Sequence, residues 1–296
     1  MKNSYDIIFI GNYTKDTIIT PENKLVVDGG AFNYGANVAA RMGLKVAVVT
    51  RLAKEDFQVI KKLQELGVET LVKITPQSTC LRLEYPTSNL DQRTIYVTSF
   101  AGSFTPAEVK DIQAKAMVIG ASMREEVSLE VVKELAKKQG ILAADIQSFL
   151  RINDQGKLIP REWTEKLSIL SLIKVLKTDA VEAEILTGTS NLQEAAQQIA
   201  KFGPEEVIIT HRNGVLVYAK GTFYRENFFP HKIIGRSGRG DTCIAAYMAK
   251  RLNASPQEST LWAAAVTSLK LEVNGPFQHS IKEVNHLIQT KYQKVG

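Results

Sequence analysis

The stretch "IIGRSGRGDTCIAAYMA", residues 233–249, passes from an apolar pair through three glycines, two arginines and an aspartate into an alanine-rich run. Gly235, Gly238 and Gly240 permit backbone conformations and close approaches that a side chain would obstruct. A helix beginning at about Asp241 would turn its unpaired N–H groups and its positive dipole end back into that loop. Together the two features make an anion site, suited to phosphate. Arg236 and Arg239 add fixed positive charge within reach of phosphate oxygens. A glycine turn capped by Asp241 accounts for the same letters, because Asp is a good N-cap. No G-x-x-x-x-G-K-[ST] pattern occurs, and a position late in the chain argues against a dinucleotide fingerprint.

Outward from this loop, short β-branched runs alternate with amphipathic segments, the pattern of a mostly parallel sheet covered by helices. "YDIIFIG" (5–11), "VAVVT" (46–50), "AMVIG" (116–120), "ILAADI" (141–146), "LIKVLK" (172–177) and "EVIITH" (206–211) read as strands. "FQVIKKLQELG", "SLEVVKELAKKQG" and "NLQEAAQQIAKFG" place apolar residues at helical spacing and stop at glycine. The fold class is α/β. Residues 16–28 and 79–99 interleave polar and apolar residues and predict an antiparallel flap over the main sheet. After residue 240 the chain reads as nearly all helical.

Composition limits the partners. The 296 residues are 44% hydrophobic, enough for a sizeable core, and 37 Lys and Arg exceed 31 Asp and Glu by six without forming a stripe or tail. That scattered excess favours small anionic ligands over nucleic acid or a membrane surface. Two distant cysteines, Cys80 and Cys243, suggest neither disulfide nor zinc and fit a reduced cytoplasmic protein. His211 and His231 form no metal constellation.

A second constellation lies in "LKTDAVEAEILTG" (176–188), which sets Lys177, Asp179, Glu182 and Glu184 between a strand end and a helix start. In an α/β sheet the strand C-termini form the ligand edge, so these groups can share a crevice with the glycine loop. Carboxylates there suit a hydrated Mg²⁺, although acidic residues in a first helical turn also simply favour the dipole. Near the N-terminus "VDGGAFNYGANVAARMG" sets another glycine pair before a helix, with Asp16 at the base of the predicted flap.

Taken in order, "GG" at 29–30 followed by "ARMGLKVAVVTRLAKED", then "DAVEAEILTG", "THRNGVLVY" and "GRSGRGDT", the chain resembles the ribokinase-like, or PfkB, carbohydrate kinases over essentially its whole length. "AAAVTSLK" with "NGPF" is similar to a subgroup that also carries "GRTGRGDTC" and includes a bacterial myo-inositol kinase. The resemblance implies a single domain over residues 1–296, a three-layer α/β/α architecture, and a small β-strand lid from segments near 12–30 and 78–100. It further implies an ATP-dependent kinase using Mg²⁺ and acting on a hydroxyl of a sugar, polyol or cyclitol, myo-inositol among them. Asp241 takes the place of the family's catalytic base, and the backbone amides of Gly238, Arg239 and Gly240 that of its anion hole. Asp179 and Glu182 match the N-x-x-E motif, with Asp for Asn and Glu182 near the metal through water. Lys177, Thr210, Arg212 and Gly214 fall on the nucleotide edge. Asp16, Gly29, Gly30 and Asn33 fall where acceptor hydroxyls are held.

Departures from the family pattern qualify this. Gly235, Arg236 and Arg239 replace residues of the usual loop, and loss of its first carboxylate removes the expectation of K⁺ activation. Tyr34 between Asn33 and Asn37 argues against a ribose-like pocket. A nucleoside kinase on the same fold, or a catalytically weak metabolite sensor, are the alternatives. A homodimer through the lid is the expected assembly.

Overall fold

The computed structural model describes residues 4–87 and 93–293, so residues 88–92 of the predicted flap lie outside the described residues. In chain order the strands are β1 (Ser4–Ile10), β2 (Thr14–Ile19), β3 (Lys24–Gly29), β4 (Val46–Leu52), β5 (Glu69–Ile74), β6 (Thr79–Glu84), β7 (Thr94–Ser99), β8 (Gln113–Ile119), β9 (Ile141–Asp145), β10 (Arg151–Asp154), β11 (Lys157–Pro160), β12 (Val175–Asp179), β13 (Glu206–His211), β14 (Gly214–Ala219) and β15 (Thr222–Asn227). Nine of them form one sheet, β15-β14-β13-β12-β9-β8-β1-β4-β5. It is parallel from β13 through β5 and ends in the antiparallel β13-β14-β15 meander.

The apolar runs of these strands are buried on both faces, and their two-residue period divides them between two cores. Ile7 and Phe9 face one core, with helices Ala31–Arg41, Arg239–Arg251 and Pro256–Lys270; Ile8 and Ile10 face the other, with helices Leu129–Ala136 and Leu192–Ala200. Each such Ile or Phe contributes about 1.5–3 kcal/mol of apolar burial, and a one-residue slip would exchange the two sets. The result is the expected three-layer α/β/α arrangement.

The lid is a separate six-stranded sheet, β10-β11-β7-β6-β2-β3. Leu81, Leu83, Tyr85, Met123 and Leu158 form a small third core beneath it. Two of its strands were absent from the sequence reading. The β10-β11 hairpin turns at Gln155 (φ 50) and Gly156 (φ 88), consecutive left-handed residues of the kind that match strand twist in a two-residue turn. Each strand has four residues, too short for the period to register.

Two predicted boundaries move. The strand read at 172–177 begins instead at Val175 and continues to Asp179, because residues 171–172 still turn out of the preceding helix. The helix expected from Asp241 starts at Arg239 with Gly238 as its N-cap. The α/β crossovers place the C-terminal ends of β9, β12 and β13 along one edge of the sheet, facing the lid, and there the predicted site residues gather. No helix among the described residues is long and apolar enough to cross a membrane. Cys80 and Cys243 are free thiols, and burial pushes Cys243 up to about 11, so it packs as a small apolar group.

Candidate active site

The glycine loop is built by close contacts. Gly238 has φ 74, and a Cβ there would come within 2.1 Å of the Tyr34 ring. At Gly240 a Cβ would lie 2.4 Å from Lys177 Nζ. No side chain caps the helix, so Asp241 sits in the first turn without acting as its cap. The Arg239 amide donates to the Arg236 carbonyl at 3.1 Å. That turn bond engages the Arg239 amide, one of the three that the sequence assigned to an anion hole. The amides of Gly238, Gly240 and Asp241 have no carbonyl partner in the described residues and remain available to an anion. Burial raises Asp241 above the ordinary carboxylate value, against the pull of Lys177 and Arg151.

Beside the loop lies a nearly dry ion cluster. Lys177 on β12 and Asp145 on β9 are register partners, and their side chains pair at 2.8 Å with 5% and 1% exposure. Burial pushes Asp145 above the usual carboxylate range although Lys177 opposes it. Against burial, Asp145 and Glu182 keep the Lys177 ammonium protonated. Asp179 ends β12 and caps helix Ala180–Thr187: its Oδ1 accepts the Glu182 amide at 2.8 Å, and Glu182 Oε2 accepts the Asp179 amide at 3.0 Å. Glu182 Oε1 also accepts from Arg151 at 2.7 Å, and Arg151 with Lys177 holds Glu182 below its usual value in spite of burial.

These groups line a cleft of about 460 Å³ between lid and sheet. Six cationic side chains reach it, Arg93, Arg151, Lys157, Lys177, Arg236 and Arg239, against the carboxylates of Asp145, Asp179, Glu182 and Asp241. No aromatic side chain lines it among the described residues. Desolvation lowers Arg239, which is turned into the protein and is not a solvated surface arginine.

On the lid side, Asp16 is 6% exposed on β2, and its Oδ1 is buried without a hydrogen-bond partner. Burial pushes Asp16 up to about 6, with Arg93 opposing and the Asp241 charge adding to it. A buried orphan acceptor is costly, and a ligand hydroxyl is the group that would satisfy it. Gly29 keeps that carboxylate accessible, since a Cβ there would lie 2.5 Å from Asp16 Oδ2, and Gly30 turns the chain at φ 93 into helix Ala31–Arg41. Asn33 is directed elsewhere: its Nδ2 donates to the Asp28 carbonyl at 3.0 Å and its Oδ1 accepts from Asn37 at 3.1 Å.

Of the sequence-selected residues, the fold thus brings Lys177, Asp179, Glu182 and Thr210 to the same cleft as Gly238, Arg239, Gly240 and Asp241. Arg212 is exposed and Gly214 closes the β13-β14 turn, where a Cβ would meet the Glu226 carbonyl at 2.2 Å; neither lines the cleft. Glu184 also faces out. Sequence reading missed Arg93, Asp145, Arg151 and Lys157. An acid at the C-terminus of "ILAAD" was a usable signal for Asp145; the other three depend on how the lid strands pair. No group of three or more His, Cys, Asp or Glu able to cage a metal occurs among the described residues. With Glu182 bonded to Arg151 and to the Asp179 amide, the carboxylates suit a Mg²⁺ that keeps its waters and is held chiefly by substrate phosphates.

The profile described as "pfkB family carbohydrate kinase" matches residues 5–281. A solved pyrophosphate-dependent kinase of the ribokinase family, complexed with a pyrophosphate analog and myo-inositol, is 32% identical, covering 95% of this chain and 99% of its own with a TM-score of 0.87. A sulfate complex of a pyrophosphate-dependent kinase in the ribokinase family is 34% identical over 92% of this chain and 97% of its own, also with a TM-score of 0.87. The cytidine kinase of Thermococcus kodakarensis is 25% identical over 268 residues, 86% of this chain and 91% of that protein. The match over residues 5–281, on a chain that sets a loop of open helix amides and a first-turn aspartate in a cationic cleft, places this protein in the pfkB family of carbohydrate kinases.

Proposed function

We propose that the protein transfers a phosphoryl group from pyrophosphate to a hydroxyl of a cyclitol or related polyol, myo-inositol being the first acceptor to test. The carrying observation is the cleft itself, where six cationic side chains and three open amides line the wall and, among the described residues, no aromatic side chain is present to stack a base. A donor that is almost entirely phosphate matches cations and open amides along its whole length, whereas the adenosine part of ATP matches neither. Similarity to a pyrophosphate-dependent kinase supports the same donor. It replaces the ATP expected from the family resemblance.

In the reaction the acceptor oxygen bonds to the transferring phosphorus as the bridging P–O bond breaks, and orthophosphate leaves. The acceptor's proton passes to Asp241 late in this step, when the oxygen has become acidic, so Asp241 needs no large pKa shift to receive it. The amides of Gly238, Gly240 and Asp241 and the cations of Lys177, Arg236 and Arg239 neutralise the charge on the equatorial oxygens. Mg²⁺, near Asp179 and Glu182 through water, would supply further neutralisation of the donor. Asp16, through its unpartnered Oδ1, orients an acceptor hydroxyl.

The test is orthophosphate release with Mg-pyrophosphate, and ADP release with Mg-ATP, against myo-inositol, other cyclitols, hexoses, ribose and nucleosides, with the phosphorylated product followed by phosphorus NMR. Turnover with pyrophosphate and a cyclitol, at a kcat/KM about 10-fold or more above that with ATP, is the expected result. Turnover with ATP alone returns the donor to a nucleotide. Selectivity for cytidine or another nucleoside replaces the cyclitol reading with that of a nucleoside kinase, and donor binding without turnover on any acceptor favours a sensor.

Asp16 gives a pH signature. As pH rises through about 6 it becomes a carboxylate and a stronger acceptor, so KM for the polyol is expected to fall through that range. Asp16→Asn should raise KM by about 10–100-fold and flatten this dependence; an unchanged KM removes Asp16 from the acceptor site. For assembly, the proposed contact between two copies is the lid's terminal strand β3, where Val26 is 53% exposed.

A further inference from the structure

Lys270 has no part in the chemistry above, yet it is the most completely enclosed cation of the site, at 0% exposure at the end of helix Pro256–Lys270. Its Nζ donates to the Gly235 carbonyl at 3.2 Å and to the Val273 carbonyl at 3.5 Å, and it lies 5.7 Å from the centroid of the Tyr34 ring. These partners are neutral, and Asp241 acts on it only through space. An enclosed ammonium without a bonded counter-ion is strongly disfavoured, and an apolar side chain of similar length would be the more stable choice.

Its contacts lie at both ends of one short segment. Gly235, whose carbonyl takes the ammonium hydrogen bond, is packed so tightly that a Cβ would approach Asn274 Oδ1 to 2.6 Å and the Val273 carbonyl to 3.0 Å. Tyr34, whose ring the ammonium faces, is the ring against which Gly238 is sealed. Because C=O and N–H point in opposite directions across a trans peptide, a Gly235 carbonyl drawn toward Lys270 turns the following N–H the other way. Lys270 lies in a separate cavity behind Gly235, Arg236 and Ser237, whereas the donor cleft is bordered by Arg236 and Gly238 through Asp241.

We propose that Lys270 is a positioning residue for phosphoryl transfer: a tethered ammonium behind the glycine loop that fixes Gly235 and, through the Tyr34 ring, Gly238, and so aims the amides of Gly238, Gly240 and Asp241 at the donor. It rests on the kinase reading above. Burial lowers Lys270 to about 8, with Asp241 opposing. Among the described residues the other ionisable groups around it are Tyr34, on helix Ala31–Arg41, Arg236, in the loop, and Tyr85, which follows β6 and lines the same cavity. Below about 8 the brace is charged; as pH rises through that value it is lost, and kcat declines with it.

The experiment compares wild type, Lys270→Met and Lys270→Arg, with amide hydrogen exchange across residues 233–243 measured beside steady-state kinetics in buffer free of K⁺ and NH₄⁺. Expected for Lys270→Met is a kcat lower by about 100-fold, a donor KM within about 3-fold of wild type, and exchange faster by about 10-fold in the loop but unchanged in β1, β8 and β12. Lys270→Arg should recover part of kcat and move the alkaline decline to higher pH. In Lys270→Ala, added n-propylammonium should restore turnover. Wild-type kcat and loop exchange in Lys270→Met overturn the proposal, as does a loss of activity accompanied by faster exchange throughout the fold in both the Met and Arg variants. Should wild type prove inactive on every acceptor, the function reading fails, and the loop exchange still decides the role of Lys270.

Discussion

Replacing Asp241 by Asn is expected to lower kcat by about 10³-fold while leaving donor affinity within about 2-fold of wild type. The substitution is nearly isosteric, and no capping bond depends on the carboxylate, because Gly238 is the N-cap and no side chain among the described residues caps the helix. On the proposed mechanism, what is removed is the group that receives the acceptor's proton. The open amides of Gly238, Gly240 and Asp241 remain, so the donor still finds its anion site. Removing one negative charge from a cleft that binds an anion would tighten the donor slightly if it changes it at all. Steady-state turnover, with calorimetric donor binding on the same preparation, checks this. Wild-type kcat in Asp241→Asn would remove the residue from the proton-transfer step, and a parallel collapse of donor binding would make its role structural.

The second large effect concerns stability. Lys177→Met leaves Asp145, 1% exposed and 2.8 Å from the former ammonium, without its counter-ion among Glu182 and Asp241. Breaking one side of a buried pair costs about 3–5 kcal/mol, which in a chain of this size is a fall in Tm of roughly 10 °C. The pH dependence has a defined sign. Asp145, already raised in the folded protein, rises further in the variant, so between the unfolded and folded values the native state binds the extra proton. Stability of Lys177→Met therefore falls as pH rises through that window, and the deficit against wild type is larger at pH 8 than at pH 5. Thermal melts across pH test this. Lys177→Met with Asp145→Leu should regain most of the Tm, since neither charge is then stranded, but not the activity, because the cation at the donor is still missing. A single variant as stable as wild type at pH 8 would show that the cluster is not desolvated as described.

Much of this protein was legible in its letters. The two-sided burial of "DIIFI", "VAVVT" and "AMVI" follows from uninterrupted apolar strands, and the helices between them from period and glycine stops, so the α/β layers were accessible to pattern alone. The glycine loop alone read equally as an anion site or as a capped turn, and the acidic and cationic groups of the neighbouring segments favoured the first. What periodicity could not show was the β10-β11 hairpin, with four residues in each strand, and with it the Arg151 that pairs with Glu182. Nor could it show that the Arg239 amide is engaged by a turn, or that Gly214 is packed against the Glu226 carbonyl in the β13-β14 hairpin.

The division has one physical cause. Local order depends on residues a few positions apart, so the chain by itself determined its layers and, to within two residues, the starts of its longer amphipathic helices, including the one that carries Asp241. The field of the site depends on groups far apart in sequence: Asp145 and Lys177 are 32 residues apart and meet only because β9 and β12 are register partners, while Lys270 meets the Gly235 carbonyl 35 residues away through helix packing. Which charges are buried, which amides stay open and which acceptor is left unpaired are consequences of how the layers and lid close on one another, and only the tertiary structure decided them.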